Sequence, residues 1–285
     1  MPDLRGRYIV ETDWLSEHLN APDLVLLDGS THLPTTGRNA RNEYTAEHIP
    51  GAQFFDINAI ADTDNPLPHM LPTPAKFSSM MKKMGIGDGM RVVAYDSEGL
   101  YSAGRVWWMF RSMGYEDVAV LNGGLKKWKA ENRPITDEPP RARSERHFTA
   151  RFNSALVRDL EDVKSIVENG SEQIVDARAA ARFRGEVIEP RKGLQSGHIP
   201  GARNVPFATL LQEDGTLKST DELVAAFKNA GVDLKKPITA SCGSGVTAGV
   251  LALALALIGR PDTAVYDGSW TEWGHENAGT RVETG

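Results

Sequence analysis

Cysteine is nearly absent from this chain: Cys242 is the only one in 285 residues. That scarcity excludes an intramolecular disulfide, a Cys-x-x-Cys redox pair and a cysteine-rich zinc cluster, so any sulfur chemistry must recruit a thiol from outside the chain. A reducing compartment is the default for such a composition, and a cytoplasmic location is the expectation. Long apolar runs are lacking too. The longest, Val250 to Ile258, is far too short to span a bilayer and reads as a buried helix. The opening residues, Met1 to Tyr8, carry early charges and no apolar core of signal-peptide length. Positive charge is not in excess: the formal net charge is −6, and no basic stripe is interleaved with aromatics, which argues against a nucleic-acid or membrane partner.

What the chain does have is an internal repeat. His48-Ile-Pro-Gly-Ala52 recurs as His198-Ile-Pro-Gly-Ala202. Upstream of each copy an apolar strand ends in aspartate, Val25-Leu-Leu-Asp28 and Ile174-Val-Asp176. Downstream, Arg91-Val-Val-Ala-Tyr-Asp96 matches Pro237-Ile-Thr-Ala-Ser-Cys242, and Leu121-Asn-Gly-Gly-Leu-Lys-Lys-Trp128 matches Tyr266-Asp-Gly-Ser-Trp-Thr-Glu-Trp273. The offsets are 148, 150, 146 and 145 residues, ordered and nearly constant. Two homologous domains follow, residues 1–136 and 153–285, joined by a charged, proline-bearing, aperiodic linker over 137–152. Short Val/Ile/Leu runs alternate with helical stretches such as Thr220 to Ala230, whose Leu223, Val224 and Phe227 share one face. The fold class is therefore α/β, each domain a mainly parallel sheet flanked by helices on both faces, with ligands bound beyond the carboxyl ends of the strands.

Cys242 occupies such an end. Cys242-Gly-Ser-Gly-Val-Thr247 lies between an apolar strand and a long Ala/Leu run, a strand-loop-helix pattern in which loop N–H groups and a helix start favour thiolate. A lone cysteine is commonly a small buried hydrophobe. The flanking glycines and the helix start weigh against that reading here. The repeat supplies a control: Asp96 stands opposite Cys242, with Ser97-Glu-Gly-Leu100 opposite Gly243-Ser-Gly-Val246. A carboxylate repels an anionic substrate and cannot carry sulfur, so the first domain is expected to be inert and the second catalytic.

This arrangement resembles the tandem-domain rhodanese superfamily of sulfurtransferases over essentially the whole chain. Within it the Cys242–Thr247 loop is similar to that of the members acting on 3-mercaptopyruvate, whereas those acting on thiosulfate usually carry Arg-Lys where this chain has Gly243-Ser244. The resemblance implies that Arg182 and Arg191 grip the substrate's carboxylate and keto oxygens, for which a planar guanidinium fork is suited. It also implies that the loop residues Gly243, Gly245, Val246 and Thr247 hold the substrate or the persulfide anion, and that Ser244 and His69 form a proton relay. In the family an aspartate completes the relay. This chain departs there, with Asn58 at that position and Asp56 two residues away. The implied donor is 3-mercaptopyruvate and the implied acceptor a thiol such as thioredoxin, or cyanide; neither cofactor nor metal is required. Arg178 and Arg184 match no substrate role.

His48 and His198 recur in both halves, one of which lacks the thiol, so a shared turn explains them better than ligation. Trp107, Trp108, Trp128 and Trp273 are expected in core or interface, and Trp270 is placed at the pocket mouth. A cysteine phosphatase would need arginine six residues after the thiol, where Ala248 stands. Thiosulfate sulfurtransfer and a noncatalytic sulfane-sulfur carrier remain the alternatives.

Overall fold

The computed structural model describes residues 4–285. The first half runs α1 (Arg5–Tyr8), β1 (Ile9–Val10), α2 (Thr12–His18), β2 (Leu24–Asp28), α3 (Ala40–Ala46), β3 (Gln53–Phe54), α4 (Ile57–Ile60), α5 (Pro74–Lys83), β4 (Arg91–Tyr95), α6 (Ala103–Ser112), β5 (Val118–Leu121) and α7 (Gly124–Ala130). The second runs β6 (Val157–Arg158), α8 (Leu160–Asn169), β7 (Gln173–Asp176), α9 (Ala180–Phe183), β8 (Arg203–Asn204), α10 (Thr220–Asn229), β9 (Ile238–Ser241), α11 (Ala248–Leu257), β10 (Ala264–Tyr266) and α12 (Ser269–Trp273). The strand orders, β1-β5-β4-β2-β3 and β6-β10-β9-β7-β8, are the same topology twice, and every pairing within the two sheets is parallel.

Strand side chains alternate between faces, so a sheet covered on both sides needs apolar residues at every position. In the first sheet Val25, Leu27, Val92, Ala94, Val118 and Val120 enter one cluster, and Leu24, Leu26, Val93, Tyr95, Ala119 and Leu121 enter another. The outer cluster is closed by Leu15 of α2 and Leu125 and Trp128 of α7. The inner one does not stop at the domain boundary. It continues through α6 and α11 to Val175, Ile238, Ala240 and Val265 of the second sheet.

The helices α6 and α11, each following the loop after its central strand, form that junction. All ten residues of α11 are buried, as an all-apolar helix requires. Gly104 of α6 and Gly249 of α11 let the two backbones touch: a Cβ on Gly249 would lie 2.6 Å from the carbonyl carbon of Gly104. No helix among the described residues is long and apolar enough to cross a membrane.

Residues 137–152 hold no helix or strand but are not a free tether. Phe148 is buried against Phe77 and Tyr115, Arg143 donates to the Leu24 carbonyl at 2.7 Å, and Arg151 N–H donates to the Met113 carbonyl at 2.8 Å. The strap is laid along the first domain.

The repeated histidines are structural pins. His48 stacks on Tyr44 at 4.2 Å, with its ring nitrogens on the Tyr44 and Glu138 carbonyls. His198 stacks on Phe183 at 3.8 Å with Nδ1 on the Phe183 carbonyl.

Candidate active site

Cys242 is the first residue beyond β9 and is buried. Its N–H donates to Ser269 Oγ at 3.1 Å, its carbonyl accepts from Trp270 N at 3.0 Å, and the Gly243 carbonyl accepts from Thr271 N at 2.8 Å. The start of α12 thus holds the loop through its carbonyls. Gly245 takes φ +75°, open to glycine at little cost, and a Cβ there would strike the Asp267 carbonyl at 2.7 Å. Among the described residues no protein acceptor takes the N–H groups of Gly243, Ser244, Gly245, Val246, Thr247 or Ala248. The loop therefore presents a run of free donors ahead of α11. Ser244, Val246 and Thr247 are nearly buried, and neither the Ser244 nor the Thr247 hydroxyl has a hydrogen-bond partner among the described residues.

Two arginines border this loop. Arg182, in the last turn of α9, is oriented by Glu189, Nε to Oε1 at 3.1 Å and Nη2 to Oε2 at 2.5 Å. It lies so close that a Cβ on Gly243 would be 3.3 Å from its Nη2. Glu189 is itself buried and shared with Arg178 at 3.0 Å, so one carboxylate is spread over two cations. Arg191 makes no hydrogen bond or ion pair among the described residues. Burial pulls it below the ordinary guanidinium value, with Tyr101 and Cys242 acting the other way. A half-buried cation with no partner is costly unless an anion arrives. Arg178, by contrast, is consumed: it holds Asp176 at 2.7 Å, Glu189, and the Gly197 carbonyl, over the Trp270 ring at 4.3 Å. Arg184 pairs with Glu186 at the surface.

The first domain completes the surroundings. Tyr101, in the loop after β4, packs edge-on against Phe207 of the second domain at 5.6 Å. Burial, then the neighbouring Cys242, push its phenol up to about 12, with Arg191 and Arg182 acting the other way. His69 sits at φ +65°, uncommon for a residue with a side chain. Burial, then the charges of Arg105 and Arg191, lower its pKa to about 3, so the imidazole is neutral at physiological pH. Its Nδ1 is buried without a partner.

The relay is not assembled as hydrogen bonds. None joins His69 to Ser244, and neither first-domain candidate for its third member reaches the imidazole. Asn58 is exposed on α4. Asp56 caps the same helix through the N–H groups of Asn58 and Ala59 and pairs with Arg41 at 3.0 Å. Capping uses the carboxylate locally, so it cannot turn inward. Trp270 also corrects an expectation: it is fully buried beneath the loop, with Nε1 on the Gln195 carbonyl at 3.0 Å, and is a foundation of the pocket, not its mouth. The other tryptophans named above are core residues as well.

Sequence reasoning passed over four residues here: Glu189, which aims Arg182; Tyr101; and the buried pair Arg105–Asp267. The signal for Arg105 was an arginine within the apolar stretch of α6. For Tyr101 there was none, because the contact is made across the domain interface.

Comparison with known proteins agrees with this architecture. The profile of the rhodanese-like domain matches residues 11–131 and again 159–276. The chain is 45% identical over 276 residues to a human (Homo sapiens) 3-mercaptopyruvate sulfurtransferase, covering 94% of this chain and 92% of that protein. It is 44% identical over 276 residues to a thiosulfate sulfurtransferase of Gallus gallus, covering 95% and 94%. The crystal structure of SseA, a 3-mercaptopyruvate sulfotransferase from Escherichia coli, superposes with a TM-score of 0.84 at 45% identity, covering 92% of this chain and 98% of that one. The chain belongs to the rhodanese superfamily, with two rhodanese-like domains in tandem.

Proposed function

We propose that this chain is a 3-mercaptopyruvate sulfurtransferase that carries sulfur on Cys242 as a persulfide, releases pyruvate, and hands the sulfur to a thiol such as thioredoxin, or to cyanide. The observation that carries the donor assignment is Arg191, a half-buried guanidinium without an ion pair beside the Cys242 loop. A monocarboxylate with an adjacent keto oxygen suits Arg191 together with the Glu189-aimed Arg182. The relatives named for this donor support the same reading.

In the first step the Cys242 thiolate attacks the substrate's sulfur and the C–S bond breaks, its electron pair leaving on the enolate of pyruvate. The S–H proton passes to the enolate carbon. Cys242 is left as the persulfide anion, held by the free N–H groups of Gly243 to Thr247. Ser244 and a neutral His69 are the proposed carriers of that proton. A neutral imidazole offers one donor and one acceptor, so it can relay without ever storing charge. With no carboxylate on its Nδ1, stabilisation of an imidazolium of the protease kind is not part of this scheme. In the second step the acceptor thiolate takes the outer sulfur and regenerates the Cys242 thiolate.

We assign residues 153–285 as the catalytic unit and 1–136 as a domain without turnover of its own, with the cytoplasm as the proposed compartment. The test is a comparison of kcat/KM for mercaptopyruvate and thiosulfate with cyanide as common acceptor, in wild type, Arg182→Ala and Arg191→Ala. The expected result is a preference for mercaptopyruvate that shrinks in both variants. A preference for thiosulfate in the wild type would overturn the donor assignment.

A further inference from the structure

The two halves meet through reciprocal contacts, as in a two-fold dimer. Leu71 N–H of the first domain donates to Asp267 Oδ2 at 2.6 Å, and Leu217 N–H of the second donates to Asn122 Oδ1 at 2.9 Å. Both pairs obey the repeat, Leu71 with Leu217 and Asn122 with Asp267. One side chain breaks the symmetry. Arg105 of α6 corresponds to Val250 of α11. Its guanidinium, fully buried, reaches across the interface: Nη1 donates to Asp267 Oδ1 at 2.6 Å and to the Gly245 carbonyl at 3.3 Å, and Nη2 donates to the His69 carbonyl. Trp108 backs it, with the guanidinium carbon 4.5 Å from the ring centroid. One planar group thus ties the catalytic loop, the His69 segment and Asp267 in the turn between β10 and α12.

We propose that Arg105, supported by Asp267, is a positioning residue for sulfur transfer, setting the Gly245 peptide and His69 in a common register so that the second domain's loop is productive only when the first domain is docked. This rests on the sulfurtransferase reading above. The geometry needs a fork. A guanidinium satisfies three acceptors in one plane, whereas an ammonium on the same helix is a point donor and cannot span them. Because the pair is buried, removing the cation strands Asp267, so a loss of activity alone would not distinguish positioning from unfolding.

Two variants and two readouts separate these. Arg105→Lys keeps the charge and loses the fork. In folded protein with mercaptopyruvate its kcat should fall, up to about 100-fold for a small misplacement of reacting groups, with KM nearly unchanged because Arg182 and Arg191 are untouched. Arg105→Met removes the charge. The charged groups around His69 are Arg105, Arg191, Asp267 through Leu71, and Asp62, whose N–H bonds the Met70 carbonyl. Without Arg105 the imidazole should titrate at higher pH than the wild type's value of about 3, read by NMR of ring-labelled histidine. That readout needs no turnover, so it stands even if the wild type forms no pyruvate, an outcome that would count against the sulfurtransferase reading instead. Wild-type kcat in folded Arg105→Lys, or a loss confined to KM, would overturn the proposal. If Arg105→Met does not fold, the Lys variant decides alone.

Discussion

The loop after β4 and the loop after β9 are the same piece of structure put to opposite uses. At Cys242 the six following N–H groups have no protein acceptor among the described residues. At Asp96 the cradle is filled from within: Oδ1 accepts from Glu98 N at 3.0 Å, and Oδ2 accepts from Tyr101, Ser102 and Ala103 N, each at 2.8 Å. The carboxylate is the anion that its own loop binds. The expectation that Asp96 merely repels substrate therefore understates the case, since there is no vacancy to repel it from. Around it the first half also lacks the machinery: Ser30 stands at the Arg178 position beside Asp28, whose buried carboxyl is raised by burial, whereas Asp176 is paired with Arg178. An anion nest can thus be closed by the chain's own carboxylate or left open to a bound anion, depending on whether the chain supplies the anion.

The largest effect that would sharpen this contrast is expected from Cys242→Ser. Pyruvate release and sulfur loading should both fall to background, because a serine hydroxyl neither attacks sulfur nor retains it. Next come Arg182→Ala and Arg191→Ala. Each removes charge-assisted hydrogen bonds worth about 1.5–3 kcal/mol, so kcat/KM for mercaptopyruvate should drop about 10- to 150-fold, with thiosulfate less affected. Equal losses for both donors would break the assignment of these arginines to a carboxylate.

In the first half the expected cost is to folding. Asp96→Ala leaves the N–H groups of Glu98, Tyr101, Ser102 and Ala103 without their acceptor, and chemical denaturation should show a loss of about 2–3 kcal/mol. Unchanged stability would mean that the filled nest is incidental. Gly249→Ala should cost about 1–3 kcal/mol by forcing α6 and α11 apart.

The smallest effect near neutral pH is that of His69, which emerges only as the solution is acidified. The folded-state pKa of His69, about 3, lies below the ordinary imidazole value of about 6.5, so between those values the unfolded chain binds the extra proton. Stability contributed by this group is complete above pH ~6.5 and declines as pH falls toward 3, by up to about 1.4 kcal/mol per unit. His69→Asn should flatten that part of the stability profile. An identical slope in the variant would show that the imidazole is not held neutral.

The repeat, the parallel α/β layers and the strand-loop-helix around Cys242 were legible because they follow from local patterns: short continuous apolar strands, glycines at the loop, an apolar helix behind it. Equally legible was the asymmetry between Asp96 and Cys242, since the chain carries its own alignment. What could not be read were contacts closed across the interface. Tyr101 and Arg105 belong to the first half by sequence and border the Cys242 loop only because α6 and α11 pack glycine to glycine. Trp270 was misplaced for a related reason. Its neighbours in sequence indicate a loop near the pocket, but the ring turns under Arg178 into the core. Asn58 and Asp56 show the limit of position matching: a residue aligned to a relay is here spent on a short helix.

The most direct test of the central contrast is intact-mass and peptide analysis after exposure to 3-mercaptopyruvate without acceptor. The expected result is one added sulfur per chain, located on Cys242, with one pyruvate released for each. Pyruvate formed without sulfur on Cys242, or sulfur bound in the absence of pyruvate, would contradict it.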